Sequence, residues 1–166
     1  MSISSQFSSN FGALARSRKY KTQRPTYAQK KIHIDLLMTG LDANKRAFTV
    51  SVDVKLRANK KASDQWHWLE LRDPQGASGW IYQEADFVAF ERRKDFVIVN
   101  RKNLVDWINT TPRIRYDLPY VAETWLAKYR LFSRPGKKDS ITQVKSQDLL
   151  GIPGTHTWVK LSSKSP

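Results

Sequence analysis

The sequence contains no cysteine, which removes disulfides, thiolate zinc sites and thiol nucleophiles from consideration together. Its three histidines, His33, His67 and His156, are too scattered along the chain to indicate a zinc cage. Only seven glycines are present, and the sequence has no P-loop, no G-x-S-x-G motif and no glycine-rich dinucleotide fingerprint. These absences argue against an NTP-driven motor and against phosphate binding by the backbone alone.

Long apolar runs are also missing. No stretch approaches the roughly 20 residues needed to cross a bilayer, and the first residues are polar, without the apolar core of a secretory signal. We therefore expect no membrane partner and an intracellular, cytoplasmic location. An infected host cell is one setting in which that cytoplasm could lie. The 166 residues, of which 40% are hydrophobic, suffice for one domain with a real core.

The charge of the chain is strongly positive. Twenty-nine Lys and Arg against 15 Asp and Glu give a formal net charge of +14. Such an excess favours a polyanionic partner, because each neutralised phosphate of a nucleic acid releases condensed counterions. An acidic membrane surface is a competing partner, but no amphipathic basic helix is obvious. A merely solvated basic surface is the remaining alternative.

The positive charge is concentrated in two places. Residues 1–34 contain no acid, and they predict a basic, flexible N-terminal arm over 1–30 that precedes one domain over 31–166. A solubilising tail is the alternative for this arm. A second basic cluster surrounds Pro135 and Gly136 in a predicted loop. The candidate DNA contacts are Arg16, Arg18, Lys19, Lys21, Arg24, Lys30, Lys31, Arg130, Arg134, Lys137 and Lys138.

Hydrophobic periodicity predicts an α/β chain that is rich in strands. The predicted strands are 31–40, 47–57, 66–72, 86–93, 94–100, 139–145 and 155–161; the predicted helices are 11–20, 101–111, 121–132 and 146–150, with a helical turn in 80–86. The first two long strands should pair as an antiparallel hairpin. The tryptophans Trp66, Trp68 and Trp80 are typical of packing, and stacking on unpaired bases is the alternative.

The second strand of this hairpin carries an acid and a base. In FTVSVDVK, Asp53 and Lys55 share one face, because side chains alternate along a strand. A loop centred near Ala43 would bring Asp35 opposite residue 52 or 53, although a slip of one residue would move it to the other face. Two opposed carboxylates repel each other unless a cation lies between them. Hard oxygen ligands of this kind are what Mg²⁺ prefers.

Asp35, followed by 17 residues and Asp53-Val54-Lys55, resembles the signature of the PD-(D/E)XK nuclease superfamily. The segments IDLLMTG, FTVSVDVK, WLEL, GWIYQEADFVAFE and DFVIVNRKNLVDWI are similar to small viral or phage-type members. The resemblance implies a restriction-endonuclease-like fold, in which a mixed central sheet is flanked by helices. It also implies DNA hydrolysis that depends on Mg²⁺, with Mn²⁺ able to substitute.

The resemblance assigns a role to each residue of this motif. Asp35 and Asp53 would hold the metal, the Val54 carbonyl would add a ligand, and Lys55 would serve the attacking water. Glu70, on the third strand, would supply a further catalytic carboxylate or would pair with an arginine.

A magnesium-dependent endonuclease of resolvase, restriction or homing type is the function that we expect from this sequence. Members of this size often act as dimers, so a homodimer or a higher homo-oligomer is expected. The alternative is a non-catalytic nucleic-acid-binding protein on a degenerate nuclease scaffold, in which Asp53 and Lys55 are only a solvated strand face.

Overall fold

The computed structural model describes residues 11–161, and this part of the chain contains no helix that is both long and apolar enough to cross a membrane. It is a mixed α/β structure whose contacts divide it into two compact units. Within the described residues, the first unit comprises residues 11–62, Glu84–Ile98 and residues 156–161, and the second comprises Ser63–Gln83 and Val99–Thr155.

The elements follow one another as short strands and short helices. In chain order they are α1 (residues 11–17), β1 (Lys21–Gln23), α2 (Tyr27–Lys31), β2 (Leu36–Leu41), β3 (Ala47–Lys55), β4 (Trp66–Arg72), a 3-10 turn (Trp80–Tyr82), β5 (Phe87–Glu91), β6 (Asp95–Asn100), α3 (Arg101–Thr110), a second 3-10 turn (Thr124–Leu126), β7 (Ser140–Lys145), α4 (Ser146–Leu150) and β8 (His156–Val159).

A six-stranded mixed sheet in the order β1-β2-β3-β5-β6-β8 forms the first unit. The predicted hairpin is confirmed, because β2 and β3 pair antiparallel with Leu36 opposite Val52. On its other side β3 pairs parallel with β5. Strand β3 is exposed over its first three residues and buried over Ser51–Val54, and its last residue, Lys55, is half-exposed.

The segment expected as an arm is part of this unit wherever the structure describes it. Residues 1–10 lie outside the described residues, but 11–30 supply α1, β1 and most of α2. Phe11 is fully buried; its ring lies edge-on to Phe96 at 5.0 Å and stacks on Trp158 at 5.7 Å. Leu14 and Ala15, one turn along α1, are buried in the same core. Residues 11–23 therefore belong to the fold, because the sheet covers the apolar face of α1 and β1 pairs with β2.

The second unit is built on a two-stranded antiparallel sheet of β4 and β7. Gly79 follows this sheet at a close approach of the backbone, where a Cβ atom would lie 2.0 Å from the Glu70 carbonyl oxygen. Asn100 caps α3 by accepting a hydrogen bond from the Asn103 N–H at 3.1 Å. Leu104 and Ile108 form the buried stripe of α3, so the predicted helix 101–111 is confirmed within one residue.

The helix predicted over 121–132 is wrong. Only Thr124–Leu126 is helical there, as a 3-10 turn. The segment instead runs beside β7: the Tyr129 N–H donates to the Gln143 carbonyl at 2.9 Å, and the Gln143 N–H donates to the Ala127 carbonyl at 2.7 Å. Tertiary pairing thus takes the backbone hydrogen bonds that a helix would have used, and it overrides the local helical pattern.

Replacing Phe11 by alanine should destabilise the protein by about 3–5 kcal/mol, as truncation of a buried Phe usually does. The reason is the loss of the Phe96 and Trp158 contacts, which α1 makes with the sheet. Urea unfolding followed by tryptophan fluorescence measures the change, with Leu41→Ala, at a 67% exposed position, as the control. Equal midpoints for both variants would show that α1 is not part of the core.

Candidate active site

The register of β2 and β3 sets the two aspartates against each other. Leu36 lies opposite Val52, so Asp35, the residue before β2, falls opposite Asp53. The Asp35 N–H donates to the Val52 carbonyl at 2.9 Å, and Asp35 Oδ2 accepts the Val54 N–H at 2.7 Å. Asp35 is therefore fixed by two bonds to the backbone of β3. The opposition of residue 35 to residue 52 or 53 was expected from the hairpin alone.

Asp53 is buried although it is an acid. Only 2% of its surface is exposed, because β2 covers one edge of β3 and Val88 of β5 lies beside it on the other. Lys55 Nζ lies 2.9 Å from Asp53 Oδ2, and 24% of the lysine side chain remains exposed. This oxygen is buried and has no aligned hydrogen bond, so the ion pair with Lys55 is its polar contact.

The environment of Asp53 changes its ionisation. Burial raises the pKa of Asp53 to about 7, Lys55 opposes this rise, and the neighbouring Asp35 carboxyl adds to it both by its charge and by a hydrogen bond. The nearby lysine thus does not fully compensate for burial. With its pKa of about 7, the Asp53 carboxyl is partly protonated at neutral pH, at a place where a cation would also be favourable.

His33 is a neighbour of this site that the sequence analysis did not select. The turn that ends α2 places it there: the His33 N–H donates to the Lys30 carbonyl at 3.1 Å, and its φ angle is 58°. Burial lowers the pKa of His33, Lys55 lowers it further, and Asp35 opposes the shift. Its position two residues before Asp35 was the available signal.

The donor set at this place is small but suits a hard cation. Asp35 and Asp53 offer adjacent carboxylates, and Lys55 Nζ already lies 2.9 Å from one oxygen of Asp53. Val54 lies between Asp53 and Lys55 on β3, with its N–H engaged by Asp35. Among residues 11–161, no group of three or more His, Cys, Asp or Glu side chains that could hold a metal ion is present. Any bound cation would therefore need carbonyl, water or phosphate oxygens as well.

Glu70 lies in the second unit, on β4. Its Oε1 accepts the Trp80 backbone N–H at 3.3 Å, and its Oε2 is 3.9 Å from Arg134 Nη2. Of the two readings of Glu70, these contacts favour a carboxylate that pairs with an arginine and orders the turn after β4.

The seven basic candidates before residue 35 are exposed. Arg16 donates to Thr22 Oγ1 at 3.0 Å. The Arg18 guanidinium lies 4.9 Å from the centre of the Trp158 ring, and Lys31 Nζ lies 4.7 Å from that of Tyr27. The other four exposed side chains of this group are Lys19, Lys21, Arg24 and Lys30.

The second basic cluster is partly engaged within its own unit. Arg130 donates to the Pro119 carbonyl at 2.9 Å, and Arg134 is paired with the buried carboxylate of Asp139. Lys137 and Lys138 are exposed in the turn that follows Arg134. The two lysines are thus better placed for an external phosphate than the two arginines.

Comparisons with protein-family models, with curated proteins and with solved structures gave no match. The interpretation of the site therefore rests on its own geometry, in which Asp35, Asp53 and Lys55 converge at the buried end of one hairpin.

Asp53 should contribute less to the stability of the wild type as pH rises, because its pKa is raised in the folded state. Below pH 4 the carboxyl is protonated in both states. Between pH 4 and pH 7 the unfolded state loses the proton while the folded state retains it, which removes up to about 4 kcal/mol. In EDTA, Asp53→Asn should therefore be the more stable protein above pH 7 and match the wild type near pH 4.

Urea unfolding across this pH range measures the difference, with Asp106→Asn on the exposed side of α3 as the control. Parallel pH profiles for wild type and Asp53→Asn would contradict the raised pKa.

Proposed function

We propose that the protein is a magnesium-dependent endonuclease that hydrolyses DNA phosphodiester bonds, with a restriction-endonuclease-like fold related to small phage-type PD-(D/E)XK nucleases. The observation that carries the proposal is the convergence of two carboxylates and a lysine at the end of β2 and β3, with Lys55 Nζ 2.9 Å from Asp53. A mixed sheet that sets this motif on an antiparallel hairpin supports the fold assignment.

Asp35, Asp53 and the Val54 carbonyl would hold Mg²⁺. When bound, the ion would polarise the scissile phosphate and lower the pKa of a water molecule. Lys55 would orient the attacking water and offset negative charge that develops on the phosphate. Asp35 would keep this arrangement rigid, because it is bonded to the backbone on both sides of Asp53.

DNA is the proposed substrate because of the charge of the chain. The net charge is +14, and the basic residues before Asp35 are exposed in the same unit as the aspartates. Cutting both strands of a duplex needs two active sites, so a homodimer or a higher homo-oligomer acting inside the cell is part of the proposal.

A non-catalytic nucleic-acid-binding protein is the second candidate. The observation that favours it is the ion pair itself, since Lys55 already occupies one oxygen of Asp53. In that case the basic surface would bind DNA and the hairpin end would only be structural. Cleavage separates the two candidates, because both predict binding.

Lys55→Met should lower the cleavage rate by about 100-fold or more, as the loss of one charge-stabilising group does, and should leave DNA binding in place. The assay follows nicking and linearisation of supercoiled plasmid, and cutting of a synthetic four-way junction, with Mg²⁺ or with EDTA. Lys94→Met is the matched control, since Lys94 is an exposed lysine of the same unit.

Salt-sensitive binding without cutting of either substrate by the wild type would contradict the nuclease proposal. Equal rates for Lys55→Met and Lys94→Met would contradict the role given to Lys55.

Mg²⁺ should stabilise the wild type above pH 7, because an ion bound only by the folded state adds stability, by about 2.7 kcal/mol at one hundred times its dissociation constant. Asp35→Asn should lose most of this gain, since one of the two carboxylates is then neutral. Thermal unfolding with increasing MgCl₂ measures the effect, and Asp106→Asn serves as the control. Equal gains in Asp35→Asn and Asp106→Asn would place the bound ion elsewhere.

A further inference from the structure

The outward face of the β4–β7 sheet carries aromatic and polar side chains. Along β4 the buried residues His67, Leu69 and Leu71 alternate with a second set that is partly or largely exposed. Cross-strand pairing extends this exposed face onto β7. The opposed pairs on the face are Trp66 with Lys145, Trp68 with Gln143, and Glu70 with Ile141.

An open cavity of about 250 Å³ lies on this face. Its lining consists of Trp68, Leu69, Glu70, Trp80, Arg134 and Ile141. Trp80 is buried, but Trp68 is 40% exposed, which is a large aromatic surface to leave in water. The Glu70 carboxylate holds the wall of the cavity in place through the Trp80 N–H and its approach to Arg134. The cavity thus combines an indole surface with ordered polar groups.

Positive charge is gathered at the other end of the same face. Lys128 Nζ and Lys145 Nζ lie 5.0 Å and 5.6 Å from the centre of the Trp66 ring. Tyr129 packs edge-on against that ring at 5.5 Å. Both ammonium groups lie beside the same ring, where they would attract a phosphate. This end of the face is therefore complementary to an anion, while the cavity end is complementary to a flat apolar ring.

We propose that this face of the second unit binds a single-stranded segment of nucleic acid. An unpaired base enters the cavity and stacks on Trp68, while Lys128 and Lys145 bind the backbone phosphates. Stacking on an aromatic ring tolerates any base, since every base has a π-face. The inference rests on the proposed function for its choice of nucleic acid as the polyanion, and it narrows the substrate class to DNA that exposes unpaired bases.

Binding measured without cleavage tests the proposal. The full-length protein in EDTA is titrated into a fluorescently labelled single strand of about 15 nucleotides, and into a duplex of the same length, with anisotropy as the readout. Trp68→Ala should weaken single-strand binding about tenfold or more, the usual effect of removing one stacking ring. Trp68→Phe should restore most of the affinity, which also shows that the site is folded.

Trp125→Ala is the matched control, because Trp125 is a 67% exposed tryptophan of the same unit that lies on the second 3-10 turn. Its affinity should equal that of the wild type. Equal affinities for Trp68→Ala and Trp125→Ala, or no binding of the single strand by the wild type, would overturn the proposal.

The outcomes for the two proposals are separable. If single-strand binding depends on Trp68 but the protein cuts no DNA, this inference is supported and the proposed nuclease function is contradicted. If cleavage depends on Lys55 but single-strand binding does not depend on Trp68, the nuclease function is supported and this inference is contradicted.

Discussion

The burial of the Asp53 carboxyl next to Asp35 is the main energetic constraint on the first unit. Removing a charged carboxylate from water costs several kcal/mol unless it is well compensated. Here one lysine compensates in part, and the pKa of Asp53 still rises to about 7. The fold thus keeps an acid where a neutral side chain would be more stable. Such a conflict between stability and local chemistry is typical of a functional site.

The rest of the first unit holds this unfavourable arrangement in place. The parallel strand β5 covers the outer edge of β3, and α1 fills the core against Phe96 and Trp158. Asp35 is bonded to the backbone beside Asp53, so the two carboxyls cannot easily separate. The exposed cations before Asp35 belong to this same unit. In the second unit, the β4–β7 face carries tryptophans and lysines side by side. None of these residues belongs to the Asp35–Asp53 site.

The hairpin and its acids were predictable because their signals are local. Alternation along β3 predicts the shared face of Asp53 and Lys55, and the short loop places Asp35 opposite residue 52 or 53. The choice between these two positions comes from the register of the folded hairpin, in which Leu36 lies opposite Val52. Other features depend on contacts distant in sequence. The segment 121–132 has helical spacing, but its backbone forms hydrogen bonds with β7. Phe11 lies in a stretch predicted as a flexible arm, but it packs against Phe96 and Trp158, which are distant in sequence. His33 reaches the site through the turn after α2, which no periodicity reveals.

Crystals grown with Mn²⁺ above pH 7 and measured for anomalous scattering would show whether Asp35 and Asp53 bind a metal ion. We expect an anomalous peak between Asp35 and Asp53, within coordinating distance of a carboxylate oxygen of each and of the Val54 carbonyl. Lys55 would then be displaced from its contact with Asp53 Oδ2. No peak at this position, with the Asp53–Lys55 ion pair intact at saturating Mn²⁺, would contradict the account and leave the hairpin end as a structural ion pair.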